Sequence, residues 1–173
     1  ALTRTVIRAS VHELESPALV MKRVNEIIFR DNRESMFVTA IYGVMSLDSG
    51  TFVYTNAGHN PPIWISTKSK EPKYLNRTGP ALGVIEDAEI LESEIKIKKG
   101  DSLLLYTDGL IEVFSPEGLF FGIENVVKTI NSINFSSNQE LLNYLESTLD
   151  GFSGVTTLPD DLTLLAIHRK AGV

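Results

Sequence analysis

Two aspartates stand where buried strands and loops are expected to meet, and their position suits them to chemistry. Asp108 follows the apolar run 103–106, and Asp160 precedes a second apolar run at 162–167. Short runs of this kind, bounded by turn residues, are typical of strands buried on both faces. A carboxylate at the end of such a strand needs solvent, a hydrogen-bond donor or a cation. Two strands that each carry one can direct both carboxylates at one point.

The ligand type at these two positions is the one that Mg²⁺ and Mn²⁺ bind, because hard cations take carboxylate oxygens and water. A purely structural interpretation stays open beside it. Asp108 with Gly109 is a common turn pair, and Asp160 or Asp161 can begin a strand after Pro159. The residues alone do not decide between the two interpretations.

His59 and Arg77 are the other candidate catalytic residues, and neither is assigned a role. His59 lies in a Gly- and Pro-rich turn, where it can act as a general acid, contact a phosphate or simply bond locally. Arg77 can hold an anion, although a single loop arginine is usually solvated. The chain has no G-x-S-x-G elbow, no P-loop and no G-x-G-x-x-G segment. His12 and His168 are interpreted as surface residues.

Composition narrows the function classes further. The 173 residues, 43% hydrophobic and 22% charged, predict one folded domain. The net charge of −6 argues against nucleic acid as a partner. Cysteine is absent, which excludes disulfides, zinc-thiolate sites and a thiol nucleophile. No apolar run approaches the ~20 residues that span a bilayer, so we predict a cytoplasmic domain, whose parent chain can still be tethered to a membrane.

Hydrophobic periodicity and turn residues predict alternating blocks of helix and strand. The expected helices cover 1–12, 16–30, 123–133 and 141–149, and the expected strands cover 37–47, 51–57, 63–66, 89–98, 103–106 and 162–168. Ser16 and Pro17 give the second helix its N-cap and first turn. We expect strand 89–98 to pass through Gly100 and pair antiparallel with 103–106, and 151–157 to be a mobile loop. The fold class is α+β, a β-sandwich or layered sheet flanked by helices.

Five blocks of residues occur together in an order that is characteristic of one family. They are Phe37-Val38-Thr39, Asn56-Ala57-Gly58-His59-Asn60-Pro61-Pro62, Thr78-Gly79-Pro80-Ala81-Leu82-Gly83, Gly100-Asp101 with Leu104-Leu105-Tyr106-Thr107-Asp108-Gly109-Leu110-Ile111-Glu112, and Asp160-Asp161-Leu162-Thr163-Leu164. Together they resemble the SpoIIE/RsbU-type branch of the metal-dependent serine/threonine protein phosphatases (PPM). Each block is weak by itself, but jointly they are specific and span nearly the whole chain.

The resemblance implies an α-β-β-α sandwich of mostly antiparallel sheets between helical layers. It also implies a pair of Mn²⁺ or Mg²⁺ ions that activates water to attack phosphoserine or phosphothreonine, without a phosphoenzyme. On the matching positions, Asp108 and Asp160 become metal ligands. The implied substrates are phosphorylated anti-sigma-factor antagonists or similar bacterial regulators of signalling and stress responses. The first two helices match the region through which an upstream sensor or receiver domain controls such phosphatases.

One departure from the family pattern is serious. The family's early metal-bridging Asp and its Asp-x-x-Gly-x-Gly segment are not found, so the chain resembles the C-terminal three-quarters or so of the domain. We therefore expect this chain alone to bind metal weakly and to have little activity, and its parent to be active. A homodimer through the first two helices is a further hypothesis, because their apolar stripes lose cover if upstream strands are absent.

Three functional hypotheses follow from the sequence. The leading one is a protein phosphatase domain, favoured by the presence of both Asp108 and Asp160. The second is a phosphatase-like regulatory or binding module without catalysis, favoured by the absent metal-bridging Asp. The third is a sugar- or nucleotide-binding β-sandwich, which the loop residues leave open.

Overall fold

The structure, a computed structural model, describes residues 2–11, 16–31, 36–69, 71–135, 137–154 and 161–170. Its helices are α1 (Leu2–Val11), α2 (Pro17–Asp31), α3 (Gly122–Ser132) and α4 (Asn138–Ser153). Its strands are β1 (Ala40–Met45), β2 (Thr51–Ala57), β3 (Ile63–Ile65), β4 (Lys73–Tyr74), β5 (Ser93–Lys96), β6 (Ser102–Tyr106) and β7 (Leu164–His168). The chain divides into two compact units, Ala1–Pro61 with Asn76–Ile97 and Pro62–Leu75 with Lys98–Val173.

The first unit contains a three-stranded antiparallel sheet in the order β1-β2-β5, together with α1 and α2. The Ser16 hydroxyl accepts a hydrogen bond from the backbone N–H of Leu19, at 3.4 Å, so the predicted N-cap of α2 is confirmed. The apolar stripe of α2 supplies most of a core that also takes residues of α1, β2 and the segment after Asn76. This core consists of Val6, Val20, Met21, Val24, Ile28, Ala57, Leu82, Ala88 and Ile90.

The second unit contains a four-stranded antiparallel sheet in the order β4-β3-β6-β7, with α3 and α4. The predicted central strand is confirmed, because β6 is an inner strand and Leu103 and Leu104 are fully buried. Its core consists of Ile63, Leu104, Tyr106, Leu110, Val113, Phe121, Val126, Ile130, Leu141, Leu145 and Leu149. Helices and antiparallel sheets in these proportions confirm the α+β class.

The predicted pairing of strand 89–98 with 103–106 is wrong. β5 pairs with β2, whereas β6 pairs with β3 on one side and with β7 on the other. Both edges of β6 are therefore occupied within its own sheet. The backbone between them follows the same division: the N–H of Ile97 donates to the carbonyl of Gly50, and that of Gly100 donates to Arg169. Alternating polarity indicated the strand but not its partner.

The predicted loop at 151–157 is also wrong in its first part, because α4 continues to Ser153. Phe152 packs against the core of the second unit, and its ring centroid lies 5.1 Å from that of Phe121. The helix ends at Gly154, whose φ of 63° is left-handed and allows a C-cap. Residues 155–157 lie outside the described residues.

Other element bounds differ in smaller ways. β1 begins at Ala40, later than the predicted start at 37, and Val38 instead forms an isolated bridge with Leu82. The exposed two-residue strand β4 was not predicted. Among the described residues, no helix is at once long enough and apolar enough to cross a bilayer.

Candidate active site

The C-terminal end of β6 lies beside the start of β7, where Tyr106 is opposite Leu164. Thr107 extends this contact beyond the sheet. Its N–H donates to the carbonyl of Thr163 at 3.1 Å, and its hydroxyl donates to the carbonyl of Asp161 at 2.9 Å. The same hydroxyl accepts from the N–H of Thr163 at 2.9 Å. One side chain thus fastens the end of β6 to the segment that enters β7.

Asp108 begins a short 3-10 helix, Asp108–Leu110, directly after this fastening. Its carbonyl accepts hydrogen bonds from the N–H groups of Ile111 and Glu112, at 2.8 and 2.9 Å. At Gly109, a Cβ atom would lie only 2.7 Å from the carbonyl oxygen of Asp161. Glycine is therefore required here by the close approach of the two segments.

Of the two carboxylates predicted as metal ligands, the structure describes Asp108 but not Asp160. Asp108 is exposed, and within the described part of the chain its carboxylate accepts no hydrogen bond. Asp160 lies outside the described residues, but Asp161, the next residue in the sequence, is the one held against Thr107 and Gly109. Over the described ranges, no three His, Asp or Glu side chains are gathered as a metal site. The exposed carboxylate of Asp108 nevertheless supplies oxygen donors of the kind that Mg²⁺ and Mn²⁺ take.

The other two predicted residues, His59 and Arg77, lie together in the first unit. Arg77 Nε donates to the carbonyl of His59 at 3.1 Å, and the guanidinium is exposed. The Nδ1 atom of His59 lies 3.0 Å from the Thr39 hydroxyl, and its N–H donates to Asn56 Oδ1 at 2.9 Å. The left-handed Gly58, with φ of 72°, allows the turn that brings these groups together. The sequence indicated His59 and Arg77 separately but not their contact.

Asn56 is the fixed point of this turn. It is fully buried, and its backbone carbonyl accepts from the N–H groups of Thr78 and Gly79 at 2.9 and 3.2 Å. Its Nδ2 atom is buried and has no hydrogen-bond partner among the described residues. Sequence reasoning gave Asn56 no role of its own, and its place beside His59 in one block of residues is the signal that identifies it.

Asp101 is a second residue that sequence reasoning did not single out. It is fully buried and accepts from the backbone N–H groups of Lys98 and Thr67 and from Trp64 Nε1, at 3.0, 3.1 and 3.1 Å. Burial, the largest influence, raises the pKa of Asp101, but these bonds and one from Ser66 together lower it below its ordinary value of 3.8. Asp101 is a structural carboxylate, distinct from Asp108.

The family described as Stage II sporulation protein E (SpoIIE) matches residues 1–170 of the chain. The chain belongs to the SpoIIE family. The predicted resemblance is therefore confirmed, and SpoIIE-type domains are PP2C-type serine/threonine phosphatases of the PPM class.

Two curated relatives place this SpoIIE-family chain among longer proteins. It is 33% identical over 136 residues to Protein IcfG of Synechocystis sp., a match that covers 79% of this chain and 21% of the relative. It is 29% identical over 174 residues to the phosphoserine phosphatase RsbU of Bacillus subtilis, with 98% and 51% of the two chains covered. The chain thus spans a fifth to about half of the length of these relatives.

Solved structures share the fold. The RsbU and RsbW domains of a Mycobacterium tuberculosis protein match with 26% identity and a TM-score of 0.73, over 99% of this chain and 47% of that one. The SiaA-PP2C domain of Pseudomonas aeruginosa matches with 18% identity and a TM-score of 0.81, over 96% and 66%. The Mn-presoaked phosphatase domain of SpoIIE from Bacillus subtilis matches with 14% identity and a TM-score of 0.70, over 99% and 73%. The SpoIIE-family chain therefore has the fold of PP2C phosphatase domains.

Proposed function

We propose that this chain is a metal-dependent protein serine/threonine phosphatase domain. It hydrolyses phosphoserine or phosphothreonine on a bacterial regulatory protein, such as an anti-sigma-factor antagonist, with a metal-activated water. The observation that carries the proposal is the Thr107 fastening, since it holds the residue before Asp108 against the residue after Asp160. The 29% identity with a phosphoserine phosphatase over 98% of the chain supports it.

Asp108 and Asp160 are the proposed metal ligands. Bound Mn²⁺ or Mg²⁺ lowers the pKa of a coordinated water and neutralises charge on the phosphoryl oxygens. The chain's own contribution is to supply carboxylate oxygens on a fixed support. Thr107 orients the two segments, and Gly109 lets them approach without a side chain between them.

His59 and Arg77 are kept as candidate catalytic residues, and within the first unit the side chain of Arg77 is bonded to the backbone of His59. Arg77 is held through its Nε atom, and its guanidinium is exposed. A guanidinium fixed in this way matches the geometry of a phosphoryl group and loses little entropy on binding it. Because the acceptor is the backbone carbonyl of His59, a substitution at His59 keeps this bond, and the two side chains can be tested separately.

Mn²⁺ titration by calorimetry tests the metal ligands. We expect the wild-type chain to give a small heat, since it is expected to bind metal weakly, and we expect this heat to disappear in Asp108→Asn. Glu146→Gln, which neutralises an exposed carboxylate on α4, is the matched control and should bind as the wild type does. Equal binding by Asp108→Asn and the wild type would overturn the assignment.

Hydrolysis of p-nitrophenyl phosphate in Mn²⁺ tests the catalytic part of the proposal. The chain alone is expected to turn over slowly, and slow turnover that is lost in Asp108→Asn supports a phosphatase. Metal-dependent binding without turnover would instead favour the phosphatase-like regulatory module. The chain spans 51% of the length of RsbU and 21% of that of IcfG, so the activity of these longer relatives has to be measured on this chain rather than assumed for it.

A further inference from the structure

The segment that follows the proposed metal ligand forms a small hairpin with an apolar outer surface. We call residues 114–120 the aromatic hairpin; its ends are joined by the bridge between Phe114 and Phe120, whose ring centroids are 4.1 Å apart. Phe114, Leu119 and Phe120 are 47%, 64% and 59% exposed. Three large apolar side chains so close together on a surface indicate a place of contact.

The aromatic hairpin is firmly built rather than loosely exposed. Its flanking residues Val113 and Phe121 are buried in the core of the second unit, and the N–H of Phe121 donates to the carbonyl of Val113 at 2.8 Å. Val113 and Phe121 therefore point inward while their neighbours Phe114 and Phe120 are presented outward. On the α4 side, a Cβ at Gly154 would lie 3.0 Å from Pro116 Cγ, so the hairpin rests on the C-cap of this helix.

The tip of the hairpin is also ordered by hydrogen bonds. The Ser115 hydroxyl accepts from the N–H groups of Glu117 and Leu119, at 3.2 and 3.3 Å, and donates to the Glu117 carboxylate at 2.8 Å. The bond from Ser115 is the main reason why the pKa of Glu117 is lowered, so this exposed carboxylate stays charged. A preformed surface loses little entropy when a partner binds it.

The position of the hairpin identifies what covers it. The N–H of Glu112 lies 2.9 Å from the carbonyl oxygen of Asp108. Phe114 follows two residues later, so its backbone lies within about 12 Å of Asp108, given about 3.5 Å for each extended residue. A typical protein interface covers about 800 Å² on each partner, a disc with a radius of roughly 16 Å. A protein that presents a phosphoserine to Asp108 therefore has the aromatic hairpin within the reach of its interface.

The charge around the hairpin restricts the partner further. Residues 108–121, from the proposed ligand to the end of the hairpin, contain Asp108, Glu112 and Glu117 but no lysine or arginine. All three carboxylates belong to exposed residues. Such a surface attracts basic side chains and repels acidic ones.

We propose that the aromatic hairpin is the docking surface for the phosphorylated substrate protein, and that it selects phosphoserines flanked by apolar and basic residues. This inference rests on the proposed phosphatase function. It adds a determinant of substrate choice that lies outside the metal ligands.

The test uses fluorescein-labelled phosphoserine peptides of about 15 residues, which reach about 20 Å on either side when extended. One peptide carries Lys and Leu on both sides of the phosphoserine, and the other carries Glu and Ser. Binding to the chain in Mn²⁺ is followed by fluorescence anisotropy. We expect the wild type to bind the Lys/Leu peptide about tenfold more tightly, and Leu119→Ser/Phe120→Ser to lose most of that preference.

Tyr144→Ser is the matched control, since Tyr144 is an exposed aromatic residue of α4 with 43% exposure, and it should leave the preference unchanged. If the double variant does not fold, Leu119→Ser alone provides the same comparison. An unchanged preference in the folded hairpin variant would overturn the docking surface. So would a wild-type dimer that becomes a monomer in the variant without any change in peptide binding, because a second copy would then be the occupant.

Hydrolysis of p-nitrophenyl phosphate by the same proteins separates this inference from the proposed function. Turnover in the wild type with no effect of the hairpin on peptide choice would refute docking and leave the phosphatase intact. Hairpin-dependent peptide binding without any turnover would refute catalysis and leave a phosphopeptide-binding surface.

Discussion

Asp101 and Asp108 lie beyond the two ends of one strand, β6, and their carboxylates have opposite surroundings. Asp101 is fully buried and accepts hydrogen bonds from Trp64, Thr67 and Lys98. Asp108 is exposed, and no hydrogen bond to its carboxylate is found in the part of the chain that the structure describes. β6 therefore has a carboxylate bonded within the fold before its first residue and a solvent-exposed carboxylate after its last.

The hydrogen bonds around the two carboxylates indicate which of them is available to a ligand. The donors around Asp101 already occupy both of its oxygens, so a cation would have to displace them and would leave buried N–H groups unsatisfied. Asp108 offers its oxygens without that cost, while its backbone is held by the 3-10 turn and by Thr107 on its other side.

The largest expected effect comes from removing the satisfied carboxylate. Asp101→Ala should lower the free energy of unfolding by about 3 to 5 kcal/mol, because it leaves several buried donors without an acceptor. Asp108→Ala should change it by about 0.5 kcal/mol or less, as expected for an exposed residue without partners. Urea denaturation followed by the fluorescence of Trp64, the single tryptophan, measures both. An equal loss of unfolding free energy in the two variants would show that the fold depends on both carboxylates alike.

The sequence indicated the carboxylate after β6, Asp108, but not the role of the one before it, Asp101. The apolar run followed by Asp108 and Gly109 indicated a buried strand with a carboxylate at its mouth, because burial on both faces leaves a continuous apolar segment. Asp101 has no such signature. Its role depends on Trp64, Thr67 and Lys98, whose approach is a property of the folded sheet.

The same reason explains the errors in the fold. Periodicity located β5 and β6 but did not show that they belong to different sheets, since a strand's pattern reports burial and not its partner. Gly151 suggested an early end to α4, whereas the packing of Phe152 carries the helix on to Gly154. Local residues predicted where elements lie, and long-range packing decided how far they extend and what they pair with.

A substitution at Gly109 tests whether metal binding needs the close approach of the segment after β6 to Asp161. Gly109→Ala should destabilise the chain by about 1 to 3 kcal/mol and weaken Mn²⁺ binding about tenfold, because the new Cβ would meet the Asp161 carbonyl at 2.7 Å. Gly151→Ala is the matched control: it lies in α4 with nothing within 4 Å of its added Cβ, so it should be neutral or stabilising. Denaturation and calorimetric titration of both variants test this. Unchanged Mn²⁺ binding in Gly109→Ala would show that the approach of the two segments is irrelevant to the metal.

A smaller change at Thr107 tests the hydrogen bonds that join the end of β6 to the segment before β7. Thr107→Val removes one hydroxyl that donates to Asp161 and accepts from Thr163, and it should cost about 1 to 2 kcal/mol of stability. It should also weaken Mn²⁺ binding, because the segments carrying Asp108 and Asp160 lose a shared anchor. Thr107→Ser keeps the hydroxyl and should restore both properties. Hydrogen exchange at the N–H of Thr163 provides a local readout, and equal protection in the Val and Ser variants would contradict the role of the hydroxyl.

The smallest expected effect is a dependence of stability on pH that comes from Asp101. The pKa of Asp101 is lowered below its ordinary value of 3.8, so the folded chain favours the charged form. Its contribution to the free energy of unfolding is therefore fully present above that ordinary value and is lost as pH falls through the lower folded value. Between about pH 5 and pH 3, the wild type should lose more stability than Asp101→Asn, in which the group cannot titrate. Urea denaturation of the two proteins across this range measures the difference; parallel curves would mean that the fold does not hold the Asp101 carboxylate in its charged form.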